Sequence, residues 1–157
     1  DEFRAIAEAQ GRELRLHADG PVPAVGDEQR VQQILRAFVE NVLRHTPPGT
    51  AVALAASSRD GRARVSVRDD GPGVPADDQE HVFERFYRAE GGKASGSGLG
   101  LAIASELASR MEGTIELHSE PGETVFTLLL PLSAAESSRE NAVGDEDVLL
   151  RPGAPPR

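Results

Sequence analysis

One amphipathic segment between Asp27 and Pro47 constrains the fold of this chain most strongly. Its apolar residues recur at steps of three and four, as one buried face of a helix requires. They are Val31, Ile34, Leu35, Phe38, Val42 and Leu43. Asp27 is a good N-cap, and Pro47-Pro48-Gly49 ends the helix. Because so long an apolar stripe has to be covered, the sequence predicts this helix packed on a second layer of structure.

The other periodic segments predict strands and shorter helices around this helix. Alternating side chains predict strands over Glu13–Asp19, Ala51–Ser57, Arg62–Asp70, Thr114–His118 and Thr124–Leu130. Turns at Asp60-Gly61 and Pro121-Gly122 pair two sets of strands as hairpins. Helices are predicted over Pro75–Phe83 and Leu99–Met111. The expected class is α+β: a two-layer α/β sandwich in which a mixed sheet of about five strands carries three helices on one face.

The two ends of the chain differ from its middle. Residues 1–11 are predicted to be the end of a helix from an upstream region, residues 12–132 the domain, and residues 133–157 a disordered tail with mixed charges. The chain starts at Asp1 rather than Met, which favours a fragment or a processed product.

Composition excludes several classes of protein. The chain has no cysteine, which excludes a disulfide scaffold, a thiolate metal site and a cysteine nucleophile. A formal net charge of −9 argues against a nucleic-acid partner. No apolar run approaches the ~20 residues that span a bilayer.

The segment Asp69–Val74 (DDGPGV) ends a predicted strand with a carboxylate. By period two, Asp69 shares a face with Val65 and Val67. A carboxylate only accepts hydrogen bonds, so it suits the exocyclic amine of adenine and discriminates against guanine, which has an oxygen there. The glycines that follow allow close approach of a ligand or of another backbone. The alternative is an aspartate that only stabilises the turn.

Two further motifs are candidates for binding phosphate. Gly96–Leu101 (GSGLGL) opens a predicted helix, where free N–H groups and the helix dipole attract anions, although its spacing is neither a Rossmann motif nor a P-loop. The alternative is a flexible hinge. On the long helix, Asn41 and Arg44 lie with His45 along one edge of the apolar stripe. Asn41 could ligate a hard cation with Arg44 near a phosphate, or it could serve as a cap or form a hydrogen bond from the helix to a loop.

The segment Val82–Arg88 (VFERFYR) stands between the two glycine motifs. One interpretation is a helix end with Phe83 and Phe86 in the core. The other places Tyr87 and Arg88 at the hinge of a mobile loop over residues 87–98, within which Lys93 could reach a phosphate.

The order and spacing of these four motifs resemble the catalytic ATP-binding domain of bacterial sensor histidine kinases. That domain belongs to the GHKL superfamily, with the Bergerat fold, which includes DNA gyrase B, the Hsp90 chaperone and MutL. The matching segments are Gln33–Pro47 (N box), Asp69–Val74 (G1 box), Phe83–Arg88 (F box) and Gly96–Ala102 (G2 box). The resemblance covers about residues 12–132.

The resemblance implies a site for Mg²⁺ and ATP. Asn41 would coordinate Mg²⁺, Asp69 would bind the adenine amine, and Arg44 and Arg88 would contact the phosphates, with Asn41, Arg44 and Arg88 serving the chemistry. The remaining implied nucleotide-binding residues are His45, Gly71, Gly73, Val74, Tyr87, Lys93, Gly96, Gly98, Leu99, Gly100, Leu101 and Thr124. The lid over residues 87–98 is expected to order only when nucleotide binds.

The resemblance also implies the reaction and the partners. The domain would donate the γ-phosphate of ATP to a histidine on a separate dimerisation domain of the same protein, upstream of residue 1, with a response regulator downstream. No histidine here has the context of the phosphoacceptor; the four are His17, His45, His81 and His118. The isolated chain is therefore expected to be monomeric. The domain would be cytoplasmic, which is compatible with a parent protein anchored in the membrane.

The sequence departs from the family's pattern in several places. Ala37 replaces an earlier Asn of the N box, and His45 replaces an aromatic residue. In the last hairpin, Glu112 and Glu123 replace glycines. Two alternatives follow: a degenerate nucleotide-binding module, or a serine kinase or ATPase of the same superfamily, against which the F box argues.

Overall fold

The computed structural model describes residues 2–87 and 98–134. The helices are α1 (Glu2–Ala9), α2 (Glu28–His45), α3 (Ala76–Gln79) and α4 (Gly100–Ser109). The strands are β1 (Leu14–Ala18), β2 (Val52–Arg59), β3 (Arg62–Asp69), β4 (Thr114–Glu120) and β5 (Glu123–Pro131). Apart from α3, the elements lie within about two residues of their predicted bounds, which is the usual uncertainty of element ends.

The five strands form one mixed sheet in the order β1-β2-β3-β5-β4. β1 pairs with β2 in parallel, and the other three pairs are antiparallel. Asp60 and Gly61 have φ angles of 53° and 70° between β2 and β3, as the predicted tight hairpin turn requires. The predicted α+β sandwich with its mixed sheet is therefore confirmed.

The apolar stripe of α2 forms the centre of the core. Ile34, Phe38 and Val42 are almost completely buried, and Phe38 stacks on Phe126 of β5 with ring centroids 5.3 Å apart. Each such side chain contributes roughly 1.5–3 kcal/mol on burial. The side chain of Asp27 accepts a hydrogen bond from the amide of Arg30 and caps the helix as predicted. α1 and α4 pack on the same core, so the three longer helices cover one face of the sheet.

The predicted helix Pro75–Phe83 is wrong in length. Only Ala76–Gln79 is helical, and the chain then continues in turns to residue 86. The cause lies in the backbone hydrogen bonds, which join residues three apart, as in turns, rather than four apart, as in an α-helix. His81 N–H donates to Asp78 O, and Glu84 N–H donates to His81 O. The apolar spacing here is produced by successive turns rather than by a continuous helix.

The expectation that Phe83 and Phe86 both lie in the core holds only for Phe83. Phe83 packs edge-on against Phe126 with ring centroids 6.2 Å apart. Phe86 is 70% exposed and has a φ of 64°. Its amide donates to the carbonyl of Gly98, so the backbone is held while the ring projects into solvent.

Among residues 2–87 and 98–134, no helix is both long and apolar enough to cross a membrane.

Candidate functional site

Asp69 is a buried carboxylate at the end of β3. It is 3% exposed, and its register partner on β5 is Thr124, which is 4% exposed. Asp69 Oδ1 accepts a hydrogen bond of 2.9 Å from the amide of Gly71. Burial raises the pKa of Asp69 above its usual value; the Gly71 amide partly opposes this shift, and the charge of Asp70 adds to it. The structure therefore holds one acceptor atom in place and disfavours its charge in the absence of a ligand.

The Asp69–Val74 loop is held by the tip of the β4–β5 hairpin. The amide of Gly122 donates to Gly71 O at 3.0 Å, and the amide of Val74 donates to Ser119 Oγ at 2.8 Å. Gly73 has a φ of 84°, and a Cβ there would lie 2.6 Å from the carbonyl oxygen of Glu120. Gly73 is thus required by contact with the protein's own backbone, which was one of the two uses that the sequence left open.

The end of α2 meets this loop at Gly71. A Cβ on Gly71 would lie 2.7 Å from both Asp69 Oδ1 and the methyl carbon of Thr46. The hydroxyl of Thr46 donates to Val42 O at 2.6 Å, which ties Thr46 to the last turn of α2. Any side chain at Gly71 would displace either the carboxylate or the helix end. The structure therefore places the candidate adenine ligand and the end of the N-box helix both next to Gly71.

The polar residues of α2 have few partners. The side chain of Asn41 is half-buried and forms no hydrogen bond within the described part of the chain. Arg44 is exposed and has no ion-pair partner among the same residues. Partial desolvation of the ring, and then the neighbouring Arg44 charge, lower the pKa of His45. A half-buried amide and two basic side chains are thus available to a ligand at this helix end.

The start of α4 lies beside α2. The N-cap residue, Leu99, provides no side-chain hydrogen bond to the first turn. A Cβ on Gly100 would lie 4.0 Å from the Cβ of Ala37, one turn before Asn41. The start of α4 therefore lies beside the turn of α2 that precedes Asn41, and the first amides of a helix favour anions. Leu99 and Leu101 are half-buried, and Leu101 packs against the core.

A backbone hydrogen bond joins a residue of the F box to a residue of the G2 box. The amide of Phe86 donates to Gly98 O at 3.0 Å. Gly98 has a φ of 69°, and a Cβ there would lie 3.0 Å from the Phe86 backbone. The hydroxyl of Tyr87 donates to Asp78 Oδ1, and its ring lies 5.2 Å from that of His81. The predicted phosphate ligands Arg88, Lys93 and Gly96 lie outside the described residues, as does most of the predicted lid.

The four histidines lie apart from one another. His17 and His118 are exposed on strands, and His45 lies at the end of α2. His81 Nδ1 lies 2.8 Å from Glu84 Oε1; this hydrogen bond, and then the charge of Glu84, raise the pKa of His81.

Sequence reasoning missed three residues that organise this region: Arg12, Thr46 and Ser119. Thr46 was detectable as a polar residue between the helix and Pro47, where side chains commonly cap a helix end. Nothing in the periodicity indicates Ser119, because its partner Val74 lies 45 residues away in the sequence. The buried Arg12 likewise gives no local signal.

Comparison with known proteins identifies the class. The family model described as "Histidine kinase-, DNA gyrase B-, and HSP90-like ATPase" matches residues 26–134, and the chain therefore belongs to this family. Among its relatives is the sensor-like histidine kinase SenX3 of Mycolicibacterium smegmatis, which is 36% identical over 129 residues. The match covers 78% of this chain and 34% of that protein, so the chain spans about a third of the length of that relative.

Two solved structures extend the comparison to three dimensions. Full-length ShkA in complex with AMPPNP has a TM-score of 0.73 and 36% identity, covering 84% of this chain and 28% of that one. The mycobacterial sensor histidine kinase MprB also has a TM-score of 0.73, at 26% identity, covering 83% of this chain and 89% of that one. The predicted family and fold are thus confirmed.

Proposed function

We propose that this domain binds Mg²⁺ and ATP and donates the γ-phosphate to a histidine on a separate dimerisation domain of its parent protein. The observation that carries the proposal is the buried carboxylate of Asp69, which lies next to Gly71, as does Thr46 at the end of α2. The family and the sensor histidine kinases among the relatives support this reaction class.

On the base side, Asp69 accepts the N6 amine of adenine. Oδ1 already accepts the amide of Gly71, and an ionised carboxylate retains several further lone pairs. Guanine places a carbonyl oxygen there, which would repel the carboxylate. Thr124 lies beside Asp69 on β5 and offers a hydroxyl to the same edge of the base.

On the phosphate side, the residues fit a hard cation and a polyphosphate. Asn41 provides an amide oxygen, the ligand type that Mg²⁺ accepts alongside waters and phosphates, and its side chain is free of other hydrogen bonds within the described ranges. When bound, the ion neutralises phosphate charge. Arg44 and the first amides of α4 add positive potential on the same side. We propose that Arg88 and Lys93 also contact the phosphates.

The phosphoryl group then passes from the β-phosphate oxygen to an imidazole nitrogen of the partner. Phosphoryl transfer needs positioning and charge neutralisation more than covalent help from this domain. The acceptor belongs to another segment, because none of the four histidines has the acceptor motif. We propose a response regulator as the next acceptor, and a cytoplasmic location for the domain.

A phosphotransfer assay with a supplied histidine hairpin from a sensor kinase tests this proposal. We expect acid-labile label from γ-labelled ATP on the hairpin when the wild-type chain is present, and none when the chain carries Asn41→Ala. The chain alone should remain unlabelled and elute as a monomer. Tight ATP binding without transfer to a hairpin that a related catalytic domain does phosphorylate would instead favour a nucleotide-binding module. The replacement of the N-box Asn by Ala37 is the observation that supports that second candidate.

A further inference from the structure

Arg12 is a buried cation with an unusual set of partners. It is 7% exposed, and its described partners are backbone carbonyls rather than carboxylates. Nη2 donates to Leu43 O at 2.9 Å and to Thr46 O, while Nη1 donates to Gln10 O at 3.1 Å. Nε is buried without a partner in the described part of the chain. Burying a guanidinium without a counter-ion costs desolvation free energy. We therefore expect the contacts of Arg12 to serve a specific purpose in the fold.

The carbonyls that Arg12 contacts belong to the end of the N-box helix. Leu43 is in the last turn of α2, and Thr46 is its C-cap residue. Carbonyls at a helix C-terminus lack intrahelical donors and carry partial negative charge, which suits a cation. The side chain of Arg12 therefore closes the end of the helix that carries Asn41 and Arg44.

The backbone of the same residue closes a different helix. The amide of Arg12 donates to Ala7 O at 3.0 Å, after Gly11 has turned the chain with a φ of 71°. Ala7 is fully buried in the core. Arg12 thus joins the end of α1, which its amide and Nη1 contact, to the end of α2, which Nη2 contacts.

The contact continues from Arg12 to the base side of the site. Thr46, whose carbonyl accepts from Arg12, places its methyl against Gly71, and Gly71 donates its amide to Asp69. The loop that contains Gly71 also has its own support from Gly122 and Ser119. The end of α2 is also capped locally, because the amide and the hydroxyl of Thr46 both donate to Val42 O. Among the described residues, Arg12 is the donor that reaches its carbonyls from another element of the fold.

We propose that Arg12 is a positioning residue for the magnesium and phosphate side of the site. It holds the last turn of α2 in a fixed position relative to the end of α1, and this position determines where Asn41 and Arg44 lie relative to Asp69. This inference rests on the proposed function. It assigns a role at the nucleotide site to a residue that lies outside all four sequence motifs.

The test compares Arg12→Met, Arg12→Lys and a matched control, Arg15→Met. The exposed guanidinium of Arg15 pairs with Glu13 and with no other carboxylate in the described part of the chain. ATP affinity is measured by calorimetry in Mg²⁺ and in EDTA, well below each variant's melting temperature. We expect Arg12→Met to weaken ATP binding about tenfold in Mg²⁺ and about twofold in EDTA. The smaller loss is expected because the Asp69–Val74 loop keeps its hydrogen bonds to the β4–β5 tip. The losses in Arg12→Lys should lie between those of Arg12→Met and wild type, since an ammonium donates hydrogen bonds but lacks the planar, forked geometry of a guanidinium. Arg15→Met should match wild type.

A purely structural role predicts a lower melting temperature with an unchanged ratio of the two affinities, and that result would overturn the proposal. If Arg12→Met does not fold, Arg12→Lys decides by the same ratio. Amide hydrogen exchange without nucleotide gives a second readout. Arg12→Lys should accelerate exchange over residues 41–46 but not at the β4–β5 tip. Equal exchange in both regions would contradict the inference, whereas failure of wild type to bind ATP would overturn the proposed function, and the assigned role with it.

Discussion

The base side and the phosphate side of the candidate site are built in opposite ways. On the base side, Asp69 and Thr124 are buried, and the loop carrying Gly71 is bonded to the β4–β5 tip. On the phosphate side, Arg44 is exposed, Asn41 has no hydrogen bond within the described residues, and α4 begins without a side-chain cap. One half is formed before a ligand arrives, and the other half keeps its polar groups open to it.

The difference follows from the chemistry of the two ends of ATP. A neutral base gains affinity from a rigid pocket with fixed acceptors, because little ordering cost remains on binding. A polyphosphate with its cation carries several charges, which exposed donors and a helix N-terminus can meet after it arrives. Substitutions on the base side should therefore affect all nucleotide binding, while those on the phosphate side should depend on Mg²⁺.

The largest effect is expected from Asp69→Asn. The amide can still accept from Gly71, but it loses the charge and presents a donor to the adenine amine. ATP affinity should fall about 100-fold, consistent with the loss of one charge-assisted hydrogen bond. Calorimetry with ATP and GTP measures it, and wild type should bind GTP much more weakly than ATP. Asp70→Asn is the matched control, because Asp70 is exposed and its side chain accepts, among the described residues, from the amide of Ala51 alone. Unchanged ATP affinity in Asp69→Asn would remove Asp69 from the site.

Asn41→Ala should weaken ATP binding about tenfold in Mg²⁺ and very little in EDTA, because only the metal contact is lost. Gln32→Ala on the same helix is the control, since Gln32 is an exposed amide that bonds to Glu28. Calorimetry in the two buffers gives both affinities. Equal losses with and without the metal would mean that Asn41 has only a structural role.

Two glycines near the start of α4 allow a further test, in which the stability of the fold is measured instead of ATP affinity. Gly98→Ala should destabilise the fold by about 1 kcal/mol, because its φ of 69° and the nearby Phe86 backbone both oppose a side chain. Gly100→Ala should be neutral or slightly stabilising, since its Cβ would meet only Ala37 at 4.0 Å. Urea denaturation of both variants measures this, and similar losses in the two would contradict it.

Acidification should weaken ATP binding severalfold, through Asp69. Burial raises the pKa of this carboxyl, so the charged acceptor disappears at a higher pH than for an ordinary aspartate. Without nucleotide, the pH dependence of folding stability has the opposite sign to that of ATP binding. Protonated Asp69 contributes stability below its unfolded pKa, and this contribution is lost as pH rises through its folded pKa. Calorimetry across mildly acidic pH tests the binding effect, and a pH profile unchanged in Asp69→Asn would assign it to another group.

Sequence reasoning succeeded where structure is determined locally. The stripe of α2 and the Asp60-Gly61 turn each contain their own period or turn signal, and both were predicted with correct bounds or type. It failed over Pro75–Phe83, where apolar spacing is shared by a helix and by successive turns. Spacing alone carries no information on which hydrogen bonds will form there.

The candidate site was predictable as a set of residue types but not as an arrangement. Asp69 and Asn41 could be selected for their chemistry, yet the contact between Thr46 and Gly71 depends on how α2 sits on the sheet. The hydrogen bonds that hold the Asp69–Val74 loop come from the β4–β5 hairpin, which is distant in the sequence. Arg12, which contacts the end of α2, lies outside all four motifs. Such long-range contacts leave no periodic trace in a single sequence.

The hydrogen bond between Phe86 and Gly98 has a consequence for how this family can diversify. It places Phe86 and Gly98 side by side, so the described chain stops at residue 87 and resumes at residue 98 close to the same point of the domain. The entropy of closing a flexible loop rises only with the logarithm of its length, by about 0.6 kcal/mol per doubling. Insertions or deletions between these two residues should therefore cost the fold little. The sheet, α2 and the Asp69–Val74 loop should keep their dimensions in such variants, because the Phe86–Gly98 hydrogen bond fixes where the described chain leaves and rejoins them.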